Sequence, residues 1–98
     1  MKVVIKNVNE RPKVAEIGND LESMHEIVGG YIESVYIGNN IFMICNEEGK
    51  LFDLKPNFVL DGDVVVGNVF FAQADGAEFT DLSDENITII MNKFKTKN

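Results

Sequence analysis

Two stretches of this sequence are apolar at nearly every position, and each lies between turn-forming residues. Residues 41–45 read Ile-Phe-Met-Ile-Cys between Gly38-Asn39-Asn40 and Asn46-Glu47-Glu48-Gly49. Residues 64–72 run from Val64 to Ala72 after Asp61-Gly62-Asp63. Successive side chains of a strand point to opposite faces, so an unbroken apolar run of this length reads as an interior strand buried on both. The chain must therefore build a sheet and cover it.

The other segments supply neighbours and cover. Residues 2–8 place Val4 and Val8 on one face and Val3 and Ile5 on the other, which predicts a strand partly covered on both. Asn9-Glu10-Arg11-Pro12 reads as a turn, and residues 13–17 complete a hairpin. Leu21, Met24, Ile27 and Val28 recur at helical spacing. Asn19 is the expected cap, with Glu22 reaching back to it, and Gly29-Gly30 ends the helix. Strands are expected over 31–37, 41–45, 50–54 and 64–72, with Gly49 taking a left-handed turn position. Lys55-Pro56-Asn57 is read as a stop, Val59-Leu60-Asp61-Gly62 as a short linker and Asp75-Gly76 as a turn. Ser83 caps a final helix whose buried stripe is Ile87, Ile90, Met91 and Phe94, with Leu82 stapled to Ile87. The expected order is ββαββββα: an α+β fold with a mostly antiparallel or mixed sheet of five to six strands and two helices over it. At 98 residues the chain is read as one domain, 1–98, with a short flexible tail from about residue 95.

Charge narrows the function classes. Sixteen acidic residues against nine basic ones give a net charge of -7, the wrong sign for a general nucleic-acid or anionic-membrane binder. The single cysteine cannot form an internal disulfide, which points to a reducing cytoplasm. His25 and Cys45 are the one pair that could supply a base and a nucleophile. Cys45, at the end of an apolar strand, reads better as a small buried hydrophobe, and His25 as a partly wet flank of the first helix. No zinc-ligand spacing occurs, and the residues after Asp61-Gly62-Asp63 lack the oxygen ligands of a calcium loop. Gly29-Gly30 follows a helix instead of preceding one, so it builds no phosphate cradle. Tyr31, Tyr36, Phe42, Phe52, Phe70 and Phe71 fall on expected strands, where core packing explains them better than base stacking. Between Pro56 and Asn92 there is no Lys or Arg, while Asp61, Asp63, Asp75, Glu78, Asp81, Asp84 and Glu85 all fall there. Turn and cap roles account for several of them; the functional alternative is an acidic surface that meets a basic protein.

The segments Val28-Gly29-Gly30-Tyr31-Ile32-Glu33, Asn46-Glu47-Glu48-Gly49-Lys50-Leu51, Pro56-Asn57 and Asp63-Val64-Val65-Val66-Gly67-Asn68 carry a resemblance. Together with the closing Leu82-Ser83-Asp84-Glu85-Asn86-Ile87, they resemble a family of small uncharacterised domains encoded by bacterial phages, plasmids and other mobile elements. The resemblance implies a bacterial or phage cytoplasmic setting, an α+β fold and no established enzymatic activity. Physically, Gly67 lets a neighbour approach, and Asn57 either ties loop backbone together or lines a small site with Glu33, Asn46 and Glu47.

These readings lead to a non-catalytic interaction module without cofactor or metal, engaging a basic host protein through acids such as Glu78 and Asp81. An exposed sheet edge could also pair two copies into a homodimer. The alternative is a binder of a small ligand such as a nucleotide signal, against which the low count of basic residues weighs.

Overall fold

The computed structural model describes residues 1–98. Its elements are β1 (Lys2–Lys6), β2 (Lys13–Glu16), α1 (Leu21–Val28), β3 (Ile32–Gly38), β4 (Ile41–Asn46), β5 (Pro56–Leu60), β6 (Asp63–Val66), β7 (Val69–Asp75), β8 (Glu78–Thr80) and α2 (Asp84–Lys93). The main sheet has six antiparallel strands. It runs β2-β1-β7-β4-β3, and β8 pairs with the outer part of β7 beyond the end of β1. The hairpin β5-β6 is a separate two-stranded sheet.

Both faces of the sheet carry a core. On one face, Val3, Ile44, Phe70 and Ala72 pack with Met24 and Val28 of α1. On the other, Val4, Ile41, Met43, Val69 and Phe71 pack with Ile90 and Phe94 from α2 and its end, and with Phe58 of β5. The alternation of Val3 and Val4 thus splits between the two cores as the period of a strand requires. Phe70 and Phe71 also split, and both are wholly buried, so the aromatic residues do not share one sheet face.

The predicted interior strand 64–72 is two strands, broken at Gly67-Asn68. Gly67 has φ +78°, and a Cβ there would lie 2.8 Å from Leu54 Cδ1. Asn68 turns out of the run to accept the Val8 N–H at 2.9 Å. Apolar composition hides this corner because β6 and β7 are apolar on either side of it.

The predicted strand 50–54 is a succession of turns. Phe52 donates to Glu48 O, Asp53 to Lys50 O and Leu54 to Gly49 O, so these amides are used locally and none is left for a ladder. Asp53, with φ 55°, takes a left-handed position here; Gly49 does not, and its constraint is space, since a Cβ would meet Val66 Cγ2 at 2.9 Å. Pro56 starts a strand instead of stopping one, which a first strand residue can do because it need not donate. Val59 and Leu60 belong to β5, and Asp61 (φ 50°) with Gly62 (φ 80°) makes the two-residue hairpin turn, so 59–62 is no linker.

Helix capping shifts by one residue at α1. The cap is Asp20, whose carboxylate accepts from Ser23 N at 2.8 Å and Ser23 Oγ at 3.0 Å, while Asn19 donates to Phe79 O. That register puts Ser23 and not Glu22 at the third helical position, so no capping box forms. At α2, Ser83 caps as expected, accepting from Asn86 N at 3.1 Å.

Asp20 gives a test. The Ser23 bonds hold its carboxyl below the usual carboxylate range, so its stabilising effect is full above the unfolded aspartate value and disappears as the pH falls through the lower folded one. Asp20→Ala is expected to lower the urea midpoint at pH 7 and to converge with the wild type in acid, whereas Asn19→Ala has the smaller effect at pH 7.

Candidate functional site

Two residues after Val4 on the same face of β1 comes Lys6, a cation at a position that period-two burial reserves for the core. It is 0% exposed. Its Nζ donates to Asn57 Oδ1 at 2.8 Å, to Lys97 O at 2.8 Å and to Asn7 O at 3.0 Å. All three acceptors are neutral, and neither of the molecule's two salt bridges involves Lys6. Burial therefore pulls its ammonium below the usual lysine range, with Glu10 acting in the opposite direction.

Asn57 completes the arrangement. Its Nδ2 donates to Lys6 O and to Gly67 O, each at 2.9 Å. The reading of Asn57 as a backbone tie is the one this geometry supports: a single buried amide joins the end of β1 to the corner between β6 and β7.

Around this junction lies the largest cleft of the molecule, about 1000 Å³ and open to solvent. Phe58 and Phe94 line it with ring centroids 4.8 Å apart, together with Pro56, Val59 and Val64 from the β5-β6 hairpin. Lys55, Lys93, Asn9, Thr96 and Asn98 add polar groups, and Asp61 is its one carboxylate side chain. Three of the nine basic residues, Lys6, Lys55 and Lys93, thus border one cleft of an acidic chain.

The expected site residues are only partly brought together. Glu33, Asn46 and Glu47 line a second recess of about 520 Å³ with Cys45, whereas Asn57 lines the larger cleft. Leu60, Asp61 and Val64 border both, so the β5-β6 hairpin is their common wall. Asn46 is structural: its Nδ2 donates to Val28 O at 3.2 Å and its Oδ1 accepts from Glu48 N at 2.8 Å. Asp81 accepts the Lys2 N–H at 2.7 Å, fastening β1 beside β8, and Glu78 is exposed on β8 across from Asp75. Neither Glu78 nor Asp81 borders these two hollows.

Cys45 and His25 line different hollows, the second recess and a third one. Burial, with Glu33 adding to it, pushes the Cys45 thiol up to about 11. A thiol of that kind is no nucleophile at neutral pH.

Lys55, Lys93, Phe58 and Phe94 were not expected at a site: the sequence places Phe94 in the core stripe of the last helix and Lys55 in a stop, and only the fold brings the two segments together. Lys6 did leave a signal, as a charged residue set between Val4 and Val8 on one face of a strand expected to be covered on both sides.

The family model described as a domain of unknown function, DUF3846, matches residues 1–95. The chain belongs to the DUF3846 family. No curated protein and no solved structure matches it. For this DUF3846 domain, no helix is long and apolar enough to cross a membrane.

Two measurements check the site. Asn57→Ala removes an acceptor from a buried ammonium and a donor from two buried carbonyls. At roughly 1–3 kcal/mol for each orphaned group, partly relieved by water, the expected loss of unfolding free energy is about 3 kcal/mol by chemical denaturation. Alkylation of Cys45 by iodoacetamide at pH 7.5 is expected to be slow in the folded protein. Its thiolate fraction there is roughly a hundredfold below that of a thiol titrating at 9.0, and labelling accelerates only toward pH 11.

Proposed function

We propose that this DUF3846 domain is a non-catalytic binding module whose cleft between the β5-β6 hairpin and the end of α2 takes a small anionic ligand with a flat or apolar body, the chemistry of a nucleotide. The observation that carries this reading is the convergence of Lys6, Lys55 and Lys93 on a cleft lined by Phe58 and Phe94. Lys55 and Lys93 are exposed and free of salt bridges, so their ammonium groups are available to phosphate oxygens. Lys6, with three acceptors already on its Nζ, contributes buried positive charge and no direct contact. The apolar lining offers surface for a base or other flat body, and few polar groups orient it, as small-molecule sites require.

The low number of basic residues in the sequence argues against a multiply charged ligand only while they are taken as dispersed. Their grouping in the fold supports the opposite reading. Capture of a small charged metabolite is also a role compatible with the mobile-element setting that the resemblance implies.

Isothermal titration with mono- and dinucleotides, and with inorganic phosphate as the control, tests the proposal. Saturable nucleotide binding is expected, weakened about tenfold or more by Lys93→Ala or Lys55→Ala, since a charge-assisted hydrogen bond contributes roughly 1.5–3 kcal/mol. The bound nucleotide should be recovered intact by chromatography. Absence of binding across the panel, or binding indifferent to both lysines, overturns the reading; recovery of a cleaved nucleotide overturns its non-catalytic part.

A further inference from the structure

Away from the cleft, the carboxyl end of α1 faces the turns that follow β4 across a shallow recess of about 380 Å³. His25, Tyr31, Asn46, Glu48 and Phe52 line it, with the Gly29-Gly30 backbone. Its walls are held from several sides. Asn46 bonds to both Val28 O and Glu48 N, Glu47 N donates to Tyr31 O at 2.8 Å, and Gly30 lies against Asn46 so closely that a Cβ would come within 2.9 Å. The hollow is therefore a fixed shape and not a gap between loose loops.

Its lining has one consistent character. His25 and Tyr31 stand perpendicular, ring centroids 5.6 Å apart, and form an angled aromatic wall. Tyr31 and Phe52 are 65% and 64% exposed, an unusual placement for two aromatic residues bordering the same recess. Glu48 is half-buried beside them and makes no salt bridge. The negative end of the α1 dipole lies at the same place. No Lys or Arg borders the recess.

Aromatic faces, an unpaired carboxylate and a helix carboxyl end all favour a cation, and a shallow hollow bounded by rings favours a flat one. We infer that this recess receives an arginine side chain of a basic partner protein, the guanidinium lying against Tyr31 or Phe52 and bonding to Glu48. Arginine fits better than lysine because its planar group stacks on a ring and bonds in a fork to a carboxylate at once. The net charge of -7 speeds the encounter with such a partner, while the recess selects the side chain that docks. This inference uses none of the residues on which the nucleotide reading rests, so either can fail alone.

The test is an NMR titration of the intact, isotopically labelled domain with a short Gly/Ser peptide carrying one arginine, with citrulline and lysine counterparts as controls. The arginine peptide is expected to shift the amides of Gly29, Gly30, Glu48 and Phe52 saturably. Citrulline, isosteric but uncharged, should bind at least about fivefold more weakly, as should the arginine peptide to Phe52→Ala or Glu48→Gln. Both variants alter side chains outside the cores, and their undisturbed spectra will report intact folds. Equal binding of arginine and citrulline, shifts centred on Glu78 and Asp81 instead, or variants that bind unchanged would each overturn the assignment.

Discussion

Val69, Phe70, Phe71 and Ala72 are all wholly buried, and the rest of the architecture follows from having to keep them so. A strand with no solvent face must be paired on both edges and roofed on both sides. β1 and β4 supply the edges, and α1 roofs one side. On the other side, α2 at ten residues is only about 15 Å long and cannot span the sheet alone. The β5-β6 hairpin covers the remainder, bringing Phe58 against Phe71 and Phe94. The large cleft is the seam between these two pieces of roof. Its position is thus a consequence of how a short helix and a hairpin share one face.

That division of labour explains what could be read in advance. The interior strand at Ile41–Asn46, both helices and the Ser83 cap are local signals, written in an apolar run, 3.6-residue spacing and capping residues, and they were legible. The corner at Gly67-Asn68 was not, because one small and one polar residue are a brief interruption between two apolar strands. The turns at 50–54 were misread for a related reason: Leu51 and Phe52 have strand-like side chains, yet they are among the most exposed apolar residues of the molecule. Composition reports what a side chain prefers and not whether a partner strand exists to receive it. The cleft was the least legible feature, since Lys6, Lys55 and Lys93 meet only after β1, β5 and α2 have been assembled.

Electrostatics shows the same limit of one-dimensional reading. The run without Lys or Arg between Pro56 and Asn92 offered an acidic surface as one reading, but Lys50 bridges to Asp63 at 2.6 Å and holds that carboxyl below its usual range. Both groups are well exposed, so the pair contributes little stability; it matters as a local cancellation of charge. Lys6 is the opposite case, a cation kept inside without any anion. Solvating an ammonium with three carbonyl-type oxygens is costly compared with an apolar residue there, and the return is geometric: one side chain reaches Asn7, Asn57 and Lys97, which no hydrocarbon could join.

The placement of β1 and β8 end to end along one edge of β7 bears on how the chain acquires its fold. Val4 pairs with Phe71, and Leu82 N donates to Lys2 O, so β1 finds its permanent neighbours 67 and 80 residues further along the sequence. Until they are in place β1 has only β2, and a lone hairpin is marginal in water. Closure of β1 onto β7 must wait for most of the domain, and such non-local pairing is intrinsically slow to form. During synthesis the Val3-Val4 segment is an uncovered apolar strand edge, the kind of surface that chaperones hold and that pairs wrongly when they do not.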